Sequence, residues 1–251
     1  MKAIILAAGR GSRMENITED KPKCMTNICG RPLINWQLDV LRDAGIEEIS
    51  IIVGYKSEKI VLENVKYFKN NRWSSTSVVS SLLNAREWLE SEDCIIVYSD
   101  ILYTSNTIKM ISNSREDISI TYNVNFLDLW SKRFENPLED LETFKVDDKY
   151  RVIEIGERAE KIGDIQGQFM GIVKLSTKGF NKVMNMLDNM DQEHVDNLDM
   201  TGLLRELLCL GVKVQGIPCE DFWIEMDNKS DMEIYESWGE DININKLTNI
   251  N

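Results

Sequence analysis

The chain has 251 residues, 43% hydrophobic and 28% charged, enough to bury one substantial core but too short for a second full-sized domain. Its formal net charge of −13 opposes long-range attraction to nucleic acid, and no basic patch offsets that field. Five scattered cysteines, Cys24, Cys29, Cys94, Cys209 and Cys219, give neither a disulfide framework nor a zinc-type CxxC pair, which fits a reducing cytoplasm.

The opening run Ala3-Ile4-Ile5-Leu6 is wholly apolar, as a strand buried on both faces must be. Gly9, Arg10 and Gly11 break it far too soon for a signal segment or a membrane span, so neither secretion nor membrane insertion is expected. From Pro32 to Ala44, Leu33, Trp36, Leu38, Val40 and Leu41 recur near helical spacing, and Gly45 supplies a stop. Ile49 to Val53 is then a second buried strand, and the order strand, helix, strand implies a parallel pair. Val78 to Trp88 reads as a helix, followed by a third buried strand, Cys94 to Tyr98, that stops at Ser99-Asp100.

Beyond this point Ile118 to Val124 alternates weakly, and Phe144 to Ile155 has a hairpin pattern around Asp147-Asp148. Met170 to Leu175 and Val212 to Ile217 are strands, Thr177 to Leu187 and Met200 to Leu210 helices. The tail beyond Ser237 has no pattern.

The densest chemical signal is Leu6-Ala7-Ala8-Gly9-Arg10-Gly11-Ser12-Arg13-Met14, followed by Lys21-Pro22-Lys23. Small residues after a buried strand let backbone N–H groups approach a phosphate chain, and Arg13 and Lys23 add positive charge for a triphosphate. GxGxxG would need glycine where Met14 stands, and the GK[ST] of a Walker loop is absent, so dinucleotide oxidoreduction and P-loop hydrolysis lose their support.

These motifs, continued by Gly30-Arg31-Pro32-Leu33-Ile34, resemble the nucleotidyltransferase family that activates sugar phosphates and phosphoalcohols, whose hallmark is LAAGxGxRM followed by PK. The resemblance implies an α/β, single-domain Rossmann-like fold with a mixed, mostly parallel central sheet flanked by helices. Residues 1–236 would form that domain, with 1–100 for the nucleotide, 101–236 for the acceptor and 237–251 as a tail. It also implies a nucleotide site from Leu6 to Ser12 with Ser77 and Ser81, catalytic cations Arg13 and Lys23, and a catalytic Mg²⁺ on Asp100 and Asp227. Asp100 ends a buried strand, where open α/β sheets place ligands. Alternation in Phe222-Trp223-Ile224-Glu225-Met226-Asp227 puts Phe222, Ile224 and Met226 on the core face and Trp223, Glu225 and Asp227 on the other.

Many sugar-phosphate members carry a GTA-containing loop; this chain has Asn70-Asn71-Arg72-Trp73-Ser74-Ser75-Thr76-Ser77-Val78-Val79-Ser80-Ser81-Leu82 instead, whose Asn-rich lead and Ser-Leu ending are similar to cytidylyltransferases acting on small phospho-compounds. CTP and a small phosphorylated or phosphonate acceptor are therefore the expected partners, ahead of a sugar 1-phosphate with UTP, dTTP or GTP. Such enzymes make precursors of cell-surface polysaccharides. Trp73, Trp130 and Trp223 are candidates for an aromatic wall, and Asp128, Arg133, Glu154, Gln168 and Glu225 for polar contacts to the acceptor. His194, the sole histidine, sits among polar residues and is expected on the surface or at a helix cap. A homo-oligomer remains open, and a catalytically silent nucleotide sensor is the competing class.

Overall fold

The computed structural model describes residues 1–238. The strands are β1 (Lys2–Ala7), β2 (Asn27–Ile28), β3 (Arg31–Pro32), β4 (Ile49–Val53), β5 (Lys66–Lys69), β6 (Cys94–Tyr98), β7 (Ile101–Tyr103), β8 (Ile118–Asn123), β9 (Glu142–Val146), β10 (Val152–Arg158), β11 (Gln168–Leu175), β12 (Gln215–Cys219) and β13 (Trp223–Glu225). The helices are α1 (Leu33–Asp43), α2 (Val78–Leu82), α3 (Arg86–Ser91), α4 (Ser105–Ser112), α5 (Phe126–Arg133), α6 (Thr177–Leu187), α7 (Gln192–Asn197), α8 (Met200–Cys209) and α9 (Lys229–Ser237). The patternless tail therefore starts after α9, and all of it beyond Trp238 lies outside the described residues.

Seven strands form the main sheet in the order β12-β8-β11-β6-β1-β4-β5. All pair in parallel except β11, which runs antiparallel to both β6 and β8, so the sheet is mixed and mostly parallel as expected. Consecutive residues of β1 enter opposite cores: Ala3, Ile5 and Ala7 pack with α1, and Ile4, Leu6 and Ala8 with α2, α6 and α8. Both faces are covered, which is why the strand shows no polar alternation. The chain leaves β1 toward β4 on one side and later returns to β6 on the other, so the crevice beyond β1 and β6 is the topological switch point.

Helix α1 does more than cover the sheet. Its buried Gln37 amide donates to the carbonyls of Tyr98 at 2.7 Å and Ile101 at 2.6 Å, clamping both sides of the Ser99-Asp100 turn. Gly45, at φ +87°, lets the Ile46 N–H reach the Leu41 carbonyl and end α1.

Three expectations differ from the structure. The predicted helix from Val78 to Trp88 is broken into α2, a 3₁₀ turn and α3, because the Asn84 amide donates to the carbonyls of Ser80 and Ser81 and competes with the helical ladder. The strand predicted from Val212 starts at Gln215. Trp223, assigned by alternation to the outer face with Asp227, is 5% exposed and stacks on Trp130 at 5.5 Å, because α5 covers that face.

Candidate active site

Three segments meet at the switch point. β13 pairs antiparallel with β7 in a register that sets Glu225 opposite Ile101, and the Met226 N–H donates to the Asp100 carbonyl at 2.9 Å. This ladder brings Asp227 beside Asp100 although 127 positions separate them in the chain, from 100 to 227.

Lys23 enters between them from the 3₁₀ turn Lys23–Met25. Its Nζ lies 2.6 Å from Asp100 Oδ2 and 3.0 Å from Asp227 Oδ1, with the residue 8% exposed. Arg13 Nη2 reaches Asp227 Oδ1 at 3.1 Å from an exposed position. Burial pulls the Lys23 pKa down, but Asp100 and Asp227 more than offset this and hold it above its ordinary value. Burial would likewise raise Asp227; Lys23 first and Arg13 next hold it below the usual carboxylate range. Glu225 is pushed well above that range by burial, then by Asp227 and Asp100.

Gly11 is needed for this arrangement. It sits at φ +69°, and a Cβ there would lie 2.8 Å from Lys23 Cβ and Cδ, so the glycine clears the path of the lysine stem. A Cβ on Gly9 would meet nothing within 4 Å, leaving the loop backbone open to the cavity above it.

Asp227 is held from behind. Asp231 Oδ2 accepts the backbone N–H groups of Asp227 at 2.8 Å and Asn228 at 3.1 Å, and Asn228 and Asp231 together form the capping box that starts α9. Arg133, whose side chain is fully buried, grips Asp231 with Nε at 2.8 Å and Nη2 at 3.0 Å. Its ring partners are Trp130 and Phe134, at 5.0 and 5.2 Å. Burial opposes the Arg133 charge, but the bonds to Asp231 outweigh it and raise its pKa.

Two adjoining cavities open here. The larger, about 590 Å³, is lined by Leu6, Ala8, Gly9, Gly11 and Ser12 on one side, Trp73, Ser77 and Ser81 on another, and Arg13, Lys23, Asp100 and Asp227 at its base. The smaller, about 290 Å³, shares Arg13, Tyr98, Asp199 and Asp227 with it and continues past Trp130, Gln168, Trp223 and Glu225. Gly171, at φ +76° in an irregular stretch of β11, makes room for the Tyr98 ring between them.

Not every expected residue reaches these cavities. Ala7 is buried within β1, and Arg10 turns toward the Tyr55 ring. Arg133 lines neither cavity: its buried guanidinium is bonded to Asp231 and stands 3.7 Å from Glu225 and 3.6 Å from Asp227, behind the cavity wall. Glu154 is on β10, outside the main sheet, and pairs with Lys145 at 2.8 Å away from both cavities. Asp128 is exposed on α5. Trp73 lines the larger cavity and not the smaller one, with its ring edge-on to Tyr55. Gln168 lines the smaller one, its amide tied to the Glu142 carbonyl at 2.7 Å. His194 is half exposed on α7, 3.7 Å from Glu206.

Tyr98, Asp140, Glu142, Asp199 and Asp231 were missed. Only Asp231 left a local signal, the Asn-Lys-Ser-Asp capping pattern beginning at Asn228. Among the described residues no three or more His, Cys, Asp or Glu side chains converge as a metal cage. No helix among them is long and apolar enough to cross a membrane.

The model of the MobA-like NTP transferase domain matches residues 3–148. The CTP:phosphoglutamine cytidylyltransferase of Campylobacter jejuni is 34% identical over 252 residues, covering 93% of this chain and 98% of that protein. Two solved structures share the fold at low identity. The inositol-1-phosphate CTP transferase from T. maritima aligns with TM-score 0.73 at 20% identity over 94% of each chain. The CTP:phosphocholine cytidylyltransferase from Streptococcus pneumoniae aligns with TM-score 0.71 at 22% identity, over 94% of this chain and 97% of that one. With more than half its length matched by one family model and a relative aligned almost end to end, the chain belongs to the MobA-like NTP transferase family.

Proposed function

We propose that the protein is a cytidylyltransferase that moves CMP from CTP to a phosphate or phosphonate oxygen of a small acceptor. Residues 1–100 supply most of the nucleotide site and 101–236 most of the acceptor site, while Arg13, Tyr98, Asp199 and Asp227 line both. The observation that carries this reading is the Lys23 bridge between Asp100 and Asp227 at the junction of two adjoining cavities. One cavity suits a nucleotide beside the glycine loop, the other a small second substrate.

An anionic acceptor oxygen attacks the α-phosphorus in line, a new P–O bond forms, and the bond to the bridging oxygen of the β-phosphate breaks to release pyrophosphate. The attacking oxygen is already ionised, so no general base is required, and His194 lines neither cavity. Arg13 and Lys23 orient the triphosphate and offset the charge on the departing pyrophosphate. Both are paired with carboxylates in the free protein, so nucleotide entry exchanges those ion pairs for contacts with phosphate.

The residues at the junction suit Mg²⁺. Asp100 Oδ1 is buried without a protein partner, and Asp100 with Asp227 offers only hard oxygen donors, the set this ion takes when substrate phosphates complete its shell. Bound on these two aspartates, it would supply charge neutralisation between two anionic reactants.

Preference for CTP is supported by the cytidylyltransferase relative and by the Asn70 to Ser81 segment. Asn70 Nδ2 donates to Ser81 Oγ at 3.0 Å and Ser81 in turn to the Ser77 carbonyl at 3.2 Å, which fixes the wall of the nucleotide cavity. The Ala8 carbonyl lines the same cavity and accepts the Tyr55 N–H at 2.9 Å with one lone pair, which leaves the other for the cytosine amino group beside the serine segment. A mismatched polar edge in a closed site costs about 1 to 3 kcal/mol. Initial rates of pyrophosphate release with CTP, UTP, GTP and dTTP test the assignment. CTP ahead of UTP by about tenfold or more in kcat/KM supports it; a preference for UTP, dTTP or GTP returns the chain to sugar-phosphate chemistry.

A further inference from the structure

We propose that Arg72 and Asp196, which line neither substrate cavity, set base selectivity by locking the Ser81 hydroxyl as a hydrogen-bond acceptor. The proposal rests on the transfer reading above and assigns the positioning residues behind its base-reading wall.

The lock follows from a chain of donors and acceptors that has one consistent assignment. Asn70 Oδ1 accepts the Arg72 backbone N–H at 2.8 Å, which turns Asn70 Nδ2 toward Thr76 Oγ1 and Ser81 Oγ, each at 3.0 Å. An amide nitrogen can only donate, so Ser81 Oγ accepts there. Its own proton goes to the Ser77 carbonyl at 3.2 Å, a group that can only accept. Ser81 is 6% exposed in the wall of the larger cavity, and what its hydroxyl has left for a ligand is a lone pair. Cytosine offers that lone pair an amino N–H, whereas uracil sets a carbonyl oxygen against it. A freely turning hydroxyl would pair with either base, so selectivity depends on keeping it fixed.

The end of α7 braces this wall from behind. The Ser77 N–H donates to the Asp196 carbonyl at 2.6 Å and the Val79 N–H to the Leu198 carbonyl at 3.4 Å, so the two segments run side by side. Asp196 Oδ1 accepts Ser80 Oγ at 3.2 Å and the Gln192 amide at 2.8 Å, while Oδ2 pairs with Arg72 Nη2. Arg72 thus fastens the Asn70 end of the wall to the carboxylate that holds its Ser80 end. The brace is itself fixed, because Asp191 caps α7 through the His194 N–H at 2.8 Å and Asp199 caps α8 through the Gly202 N–H at 2.7 Å. The Arg72 side chain is 58% exposed, and an ion pair so exposed adds little to fold stability. Losing it loosens the wall before it loosens the fold.

The test titrates the full chain, with Mg²⁺ and no acceptor, with CTP and with UTP by calorimetry, so that affinity is read without turnover. Pyrophosphate release with phosphoethanolamine, glycerol 3-phosphate and glucose 1-phosphate is measured in parallel. The unsubstituted protein should bind CTP about tenfold or more tighter than UTP. Arg72→Ala and Asp196→Asn should each shrink that ratio by about fivefold, and UTP binding should not weaken, since a released hydroxyl can donate to its carbonyl. Arg72→Lys should keep most of the ratio, because an ammonium can replace the single Nη2 contact. Melting temperatures of all three variants should stay within about 2 to 4 °C of the unsubstituted protein. Equal binding of CTP and UTP by the unsubstituted protein overturns the proposal. So does a proportional loss of both nucleotides in Arg72→Ala and Asp196→Asn, which is what mere support of the loop would give. CTP-selective binding that both variants relax, without pyrophosphate release from any acceptor, upholds the proposal and rejects the transfer reading. Transfer that proceeds equally well from CTP and UTP does the reverse.

Discussion

Lys23 Nζ donates to Asp227 Oδ1 at 3.0 Å while also holding Asp100, so one ammonium keeps two nearby carboxylates apart in the free protein. Removing it leaves both acids facing each other with little solvent. Lys23→Ala should therefore destabilise the fold by about 3 to 5 kcal/mol, the usual consequence of breaking a buried pair from one side. It should also lower turnover by about a hundredfold or more, the scale of losing one preorganised charge-stabilising donor. Denaturant unfolding and initial rates check the two effects; normal stability with a change in acceptor KM alone would contradict this placement.

Arg133 and Asp231 touch neither cavity, yet Asp231 fixes the backbone of Asp227. Asp231→Ala should cost about 3 to 5 kcal/mol by stranding the buried guanidinium, and the lost α9 cap adds to this. Arg133→Lys should not restore function, because an ammonium cannot reproduce the two-pronged bond. In both variants the Mg²⁺ concentration for half-maximal rate should rise while acceptor KM changes little. An acceptor KM effect alone would return Arg133 to direct substrate contact.

Gly11→Ala places a methyl 2.8 Å from the Lys23 stem on a backbone at φ +69°. Displacement of Lys23 should reduce kcat, whereas Gly9→Ala, with nothing within 4 Å, should raise the KM for CTP if phosphates approach that backbone. Similar effects from both substitutions would show that loop flexibility, not the lysine path, is what the glycines provide.

Glu142 gives a pH signature. A carboxyl whose folded pKa is raised destabilises the folded state once pH exceeds its unfolded value, near its ordinary 4.5, and increasingly up to the folded pKa. Glu142→Gln should therefore raise the melting temperature of the ligand-free protein at neutral pH, and the gain should vanish in acid below that value. A variant that is less stable at neutral pH would mean that Glu142 is held by favourable contacts.

The central strands were legible because β1, β4 and β6 are buried on both faces and leave continuous apolar runs. Edge strand β5, Lys66-Tyr67-Phe68-Lys69, has no such run, since flanking lysines guard an open edge, and it was missed. In the site, Arg13, Lys23 and Asp100 lie in or beside motif loops after apolar strands, where residue type and position agree. Asp227 was found by its family position, but the alternation argument misjudged its neighbour Trp223, because a three-residue strand covered by α5 buries both faces. Asp140 and Glu142, two positions apart around the start of β9, meet Asp199 only through tertiary packing, so no local pattern announces them together.

Phosphorus NMR of a reaction containing CTP, Mg²⁺ and phosphoethanolamine tests CMP transfer most directly. The predicted spectrum loses the phosphomonoester signal and gains a pyrophosphate signal and a diphosphate-diester pair in equal molar amounts. Pyrophosphate forming with the phosphomonoester untouched, or CTP persisting with this amine and with every other phosphorylated acceptor tried, would contradict it.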